Sequence, residues 1–230
     1  MLPSRYGVWG SGYVGQPVKK MSSFLDEKSK IFGVASNPAT KFRLMYDRGD
    51  LPVFIRHGAK LSLEFKVPIE SLDIAHFLPI FVDGVREHVN PYHFIASEGT
   101  LHLIKYGDSS KILLCLDRLI YPLKEALETY DSRTILLALK VIQVLSSANP
   151  DIAKGLVGYF RQLLPVLNRF KTRKRNLGDQ MDFAQFKHDG RTLGEEIEET
   201  LTVLERNCGD AAFINIKYIV PTYESWRMSD

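Results

Sequence analysis

Apolar positions along the chain follow two rhythms. In "KLSLEFKVPIE" (60–70), Leu61, Leu63, Phe65 and Val67 alternate with polar residues, the two-residue period of a strand. One such segment cannot make a sheet alone, so it predicts at most a small hairpin near 60–70. Before it, "KFRLMYDRGDLPVFIRHG" (41–58) predicts a short helix, a turn at Asp47–Asp50 and a second short helix opened by Pro52. From Ser71 onward the spacing is helical. Ser71 is the expected cap of a helix burying Leu72, Ala75, Leu78, Val82 and Val85. Pro91 opens a helix carrying Phe94, Leu101 and Ile104, and the next carries Ile112, Leu116, Leu119, Leu123 and Leu127. Asp131 or Ser132 caps "TILLALKVIQVLSS", which is apolar on nearly every face and so is expected to be buried on more than one side. Ile152, Leu156, Phe160, Leu163, Leu167 and Phe170 mark one further helix, and Ile197, Leu201 and Leu204 another. "AAFINIKYIVPTYES" (211–225) reads as a last apolar helix stopped by Pro221.

Three of these helical stretches contain a proline, which removes a backbone donor and costs a helix interior about 3 kcal/mol. Pro79, Pro122 and Pro165 are spaced 43 residues apart. Equal spacing of a costly residue reads as an internal repeat, and about 40–47 residues is the period of HEAT and armadillo units. The fold expected is therefore all-α, an armadillo/HEAT-like helical repeat superhelix over 41–230. The prolines should lie within or at bends of outer helices, at equivalent places in successive pairs. The segment "KTRKRNLGDQMDFAQFKHDGRTL" (171–193) interrupts the third unit as an insertion loop.

Composition is ordinary for a globular chain, 45% hydrophobic and 25% charged. No stretch approaches the roughly 18 apolar residues of a membrane span, and no signal-peptide pattern is present. Cys115 and Cys208 lie in apolar helical patterns, so buried reduced thiols of a cytosolic protein are expected. The net charge of +3 is located in the first forty residues: Arg5, Lys19, Lys20, Lys28 and Lys30 against Asp26 and Glu27 leave the body neutral. Residues 1–40 hold glycines and prolines with little periodicity, which predicts a flexible arm. Its aromatics, Trp9 and Tyr13 among them, beside Lys19 and Lys20, suit an element that orders in a partner's groove; an uninvolved tail, or one packed back on its own body, is the alternative.

Signs of catalysis are weak. "GSGYVG" (10–15) has the letters of a dinucleotide loop, but Gln16–Pro17 follows and no βαβ unit surrounds it. The six histidines form no helix-spaced pair with a carboxylate and have no CxxC companion, so neither a metal nor a cofactor is expected. In "KTRKR", Lys171, Arg173, Lys174 and Arg175 form a basic run. The body lacks the net positive charge that would extend it into a phosphate track, so an acidic protein surface fits better than nucleic acid; a solvated loop is the plainer alternative.

Several stretches resemble the parkin co-regulated protein family: "FRLMYDRGDLP" (42–52), "HFLPIFVDGVRE" (76–87), "LKVIQVLS" (139–146), "YFRQLLPVLN" (159–168) and above all "FINIKYIVPTYES" (213–225). The resemblance spans about 41–225 and leaves the arm outside it. It implies an armadillo-like fold without catalysis, in cilia and flagella. There the family acts as a microtubule inner protein at the inner junction, where the B-tubule closes on the A-tubule of the axonemal doublet. Implied partners are α/β-tubulin, a small β-rich junction protein and, in animals, a small meiosis-expressed protein; neither nucleic acid nor membrane is among them. The basic run is stronger than the family leads one to expect at this loop. Tubulin is acidic, so Lys171, Arg173, Lys174, Arg175, Lys19 and Lys20, with Trp9 and Tyr13, become the candidate contacts on a neutral scaffold. The rival expectation is a soluble helical-repeat adaptor for a small protein or chaperone.

Overall fold

The computed structural model describes residues 40–58, 61–171 and 192–226. Within them the chain is mostly helical, with one two-stranded antiparallel hairpin. Helix α1 (Lys41–Arg48) starts where the Thr40 hydroxyl accepts the Arg43 N–H, and stops at Gly49. Gly49 takes φ +78°, the left-handed cap that glycine adopts without a Cβ penalty.

The segment after Pro52 is strand β1 (Val53–His57) and not the expected second helix. Val53, Phe54 and Ile55 are β-branched or aromatic and suit a pleated ribbon, and Pro52 stands just before it, where no ladder N–H is needed. β1 pairs with β2 (Leu61–Phe65) in the register Val53↔Phe65, Ile55↔Leu63, His57↔Leu61, so the hairpin begins earlier than expected. Val53 and Leu63 are buried, and Phe65 packs on Phe81 with ring centroids 6.3 Å apart. Arg56 and Glu64 pair diagonally on the solvent face at 2.7 Å.

Ser71 does not cap the next helix: it ends a short 3-10 turn, its hydroxyl donating to the Pro68 carbonyl. Asp73 caps α2 (Ile74–Asp83) instead, accepting the His76 N–H. Then come α3 (Tyr92–Tyr106), α4 (Ser109–Leu114) and α5 (Leu116–Glu128). The single helix expected over 112–127 breaks at Cys115, with Ile112 and Leu116 buried on either side. Helix α6 (Ser132–Ala148) is capped by Asp131 through the Thr134 N–H. The helix expected over 152–170 is divided into α7 (Pro150–Val157), α8 (Phe160–Leu163), a 3-10 turn Pro165–Leu167 and α9 (Asn168–Lys171). All six apolar positions read from its sequence are buried. Helix α10 (Leu193–Asn207) opens with a capping box between Thr192 and Glu195, and α11 (Asp210–Ile219) ends before Val220.

The helices contact one another in two series. α3, α6 and α10 pack in succession, as do α2, α5, α8 and α11. Pro79 lies inside α2, Pro122 inside α5 and Pro165 in the turn after α8, so the three prolines follow the second series. Arg86 joins neighbouring members of that series, pairing with Asp83 at the end of α2 and, at 3.0 Å, with Glu125 on α5.

α2 and α3 approach closely because Gly99 has no side chain: a Cβ there would lie 2.3 Å from the Phe81 ring. Gly99→Ala is expected to destabilise the fold by about 1–3 kcal/mol, the cost of overpacking a filled core, measured by urea unfolding.

The core also holds Cys115 and Cys208, both buried and free. Burial pushes the Cys115 thiol up to about 11 and the Cys208 thiol up to about 12, from an ordinary 9.0. The unfolded chain therefore releases these protons first as pH rises. Their contribution is fully present below about pH 9 and is lost between there and about pH 12. Urea midpoints should fall from pH 8 to pH 10.5, and less steeply in Cys208→Ala.

Candidate functional site

The closing segment, which carries the most distinctive sequence motif, is built around one buried carboxylate. Glu205 lies on the inward stripe of α10, one turn beyond Leu201, and is 5% exposed. It accepts two hydroxyls from the segment after α11: Tyr223 at 2.6 Å and Ser225 at 2.5 Å. Tyr223 is itself fully buried. Burial first, and then the bond to Glu205, raise its phenol pKa well above the usual value, so it stays a proton donor. Lys217 donates to the Tyr223 carbonyl at 2.7 Å, which ties the irregular segment to α11, and Asn168 donates to the Ile219 carbonyl at 2.8 Å, which ties the end of α11 to α9. The Arg206 guanidinium lies 4.6 Å from the Trp226 ring centroid.

Lys171 joins this cluster. It was expected to reach outward with the basic run, but it is 5% exposed, its ammonium 5.1 Å from the Tyr223 ring centroid. The physical reason is its position on α9, one turn after Leu167 and next to Phe170, on the face that packs on α10. Arg173, Lys174, Arg175, Trp9, Tyr13, Lys19 and Lys20 lie outside the described residues.

A matching polar cluster sits at the other end of the described chain. Glu87, 7% exposed, accepts the Thr40 hydroxyl at 2.5 Å and pairs with Arg43 at 2.5 Å. The Arg43 guanidinium stacks 4.5 Å from the Tyr92 ring centroid, and the Tyr92 hydroxyl donates to Asp47 at 2.8 Å. Thr40 is thus already part of the folded body.

Neither carboxylate was singled out from the sequence. The signal for Glu205 was its spacing: it falls in register with Ile197, Leu201 and Cys208, where a charge on an apolar stripe demands partners. What the sequence also did not reveal is the outer face of α11. Ile214 and Tyr218, one turn apart, are 70% and 78% exposed.

The fold and its clusters define a helical domain with a small hairpin, whose buried carboxylates hold its first helix and its closing segment in place. The family model for the parkin co-regulated protein matches residues 40–225. A mouse protein, the parkin coregulated gene protein homolog, is 43% identical over 187 residues, covering 81% of this chain and 76% of its own. The chain belongs to the parkin co-regulated protein family. The match begins at Thr40 and ends at Ser225, the two residues whose hydroxyls reach the buried carboxylates.

Tyr223→Phe leaves Glu205 short of one donor inside the protein and is expected to lower unfolding free energy by about 1–3 kcal/mol. Ile214→Asp, on the exposed face of the adjoining helix, should change it by less than about 0.5 kcal/mol. Urea unfolding of both variants checks the contrast, and equal losses would contradict it.

Proposed function

We propose that the protein is a non-catalytic structural component of the axoneme, a microtubule inner protein at the inner junction of doublet microtubules in cilia and flagella. In this role it bridges A- and B-tubule tubulin beside a small β-rich junction protein, and in animals also meets a small meiosis-expressed protein. Family membership supports the reading. The observation that carries it is the pair Ile214 and Tyr218, large apolar groups exposed on a helix whose neighbouring segment is anchored at Glu205. Exposed aromatic and aliphatic side chains on a firm base suit a protein contact.

The same proposal takes the domain as an armadillo/HEAT-like superhelix. Two observations support this: the two successive helix series, and the prolines recurring every 43 residues along one of them. Such a stack is a stiff spacer, which is what closing a tubule requires. The N-terminal arm supplies the excess positive charge for acidic tubulin, and Arg173, Lys174 and Arg175 add to it.

Microtubule co-sedimentation tests the reading. Removing residues 1–39 and, separately, Ile214→Asp with Tyr218→Asp should each weaken binding several-fold while circular dichroism stays unchanged. Reversing Arg173, Lys174 and Arg175 should weaken it at low salt and much less at high salt, since exposed pairs each contribute about 0–1 kcal/mol. Full-length protein that does not pellet with microtubules would overturn the proposal.

A further inference from the structure

A groove of about 560 Å³ crosses the series α3, α6 and α10. Its apolar floor comes from Ile104, Val144 and Val203, one from each helix. Gln143 and Ser147 line it between them and are already fixed. The Gln143 amide donates to Thr200 on α10 at 2.7 Å. The Ser147 hydroxyl donates to the Gln143 carbonyl at 2.9 Å and accepts from Asn207 at 3.1 Å. These bonds tie α6 to α10 and hold the walls in one arrangement, so a ligand meets groups that need no further ordering.

The charge in its described lining is positive. Lys105 is the charged residue among the lining side chains; it is exposed, and no carboxylate pairs with it among the described residues. Lys140, exposed and likewise without a carboxylate partner among the described residues, stands one turn before Val144 on the same face of α6. Glu199, one turn before Val203 on α10, is engaged in an interaction of its own.

We infer that this groove receives an extended acidic segment of a partner protein. Alternate side chains of an extended peptide point to opposite sides. One set enters the floor of Ile104, Val144 and Val203, while carboxylates reach Lys105 and Lys140. Fixed polar groups along the walls meet the peptide backbone. The site is separate from the outer face of α11 and does not depend on the microtubule reading.

Fluorescence polarisation of the full chain with a labelled (Glu-Val)5 peptide tests it, with (Ser-Val)5, (Lys-Val)5 and a dT12 oligonucleotide as comparisons. (Glu-Val)5 should bind best and weaken as salt rises. The double variant Lys105→Glu, Lys140→Glu should weaken it at least fivefold, as should Val144→Asp. Lys154→Glu, an exposed charge on α7, should leave it unchanged. Circular dichroism confirms that each variant is folded. Equal binding of the neutral or basic peptide, preference for dT12, or an unaltered double lysine variant would overturn the inference.

Discussion

Burial of α6 on several sides is the constraint on which the rest of the domain depends. Its seventeen residues present Ile135, Ala138, Leu139, Val141, Ile142 and Leu145 to α3, α5, α7 and α10. Each large side chain buried there contributes about 1.5–3 kcal/mol, while ordering each backbone residue costs about 1–2 kcal/mol. A helix with apolar groups on so many faces gains this only when its neighbours on every side are in place. The polar residues it carries inward are satisfied within reach: Thr134 by Asp131, Ser146 by the Gln143 carbonyl, and Gln143 by Thr200. The two helix series are thus a consequence of one buried helix needing cover on opposite sides.

Apolar burial fixes which elements meet, but it is non-directional and sets the position of irregular backbone poorly. The segment after α11 shows what supplies direction. Residues 220–225 form no helix, so their backbone groups need partners from elsewhere. Two hydroxyls on one carboxylate and a lysine on one carbonyl fix its register, and an asparagine on the Ile219 carbonyl holds the end of the helix before it. Glu87 does the same for the start of α1. Desolvating these carboxylates is costly unless every bond is made, so each cluster tolerates one arrangement only.

Helical periodicity was legible in the sequence because burial in this fold repeats every three to four residues. Ile197, Leu201, Leu204 and the six apolar positions from Ile152 to Phe170 are buried as read. What periodicity cannot report is where a helix yields to local competition. Cys115 divides one expected helix and Pro165 another, and Asp73 displaces Ser71 as a cap because its carboxylate accepts the His76 N–H, while the Ser71 hydroxyl is taken by the Pro68 carbonyl. The Val53–His57 strand escapes the pattern because Val53, Phe54 and Ile55 are consecutive apolar residues with no alternation, and Pro52 before them also suits a helix start. Lys171 was misjudged because composition groups it with the bases that follow, whereas its backbone position groups it with Leu167 and Phe170. The Glu205 cluster joins residues on separate elements, and no local pattern announces such a meeting.

Lys171 and Tyr223 show why the location of a charge matters more than its count. The body is neutral by formal charge, yet several of its charged groups face inward: Glu87, Glu205 and Lys171 are each under a tenth exposed. Buried charges do not advertise themselves to a partner; they stiffen the backbone that presents other groups. Tyr223 is held from three sides, by Glu205 at its hydroxyl, Lys217 at its carbonyl and Lys171 over its ring. Ile214 and Tyr218 therefore stand on a helix whose far end is tied to α9 by Asn168 and to α10 through Tyr223. Binding through such a surface avoids most of the ordering cost that a loose segment would incur. In a protein proposed to close a tubule, stiffness beneath the contact is as necessary as the contact itself, and in this chain the buried charges provide it.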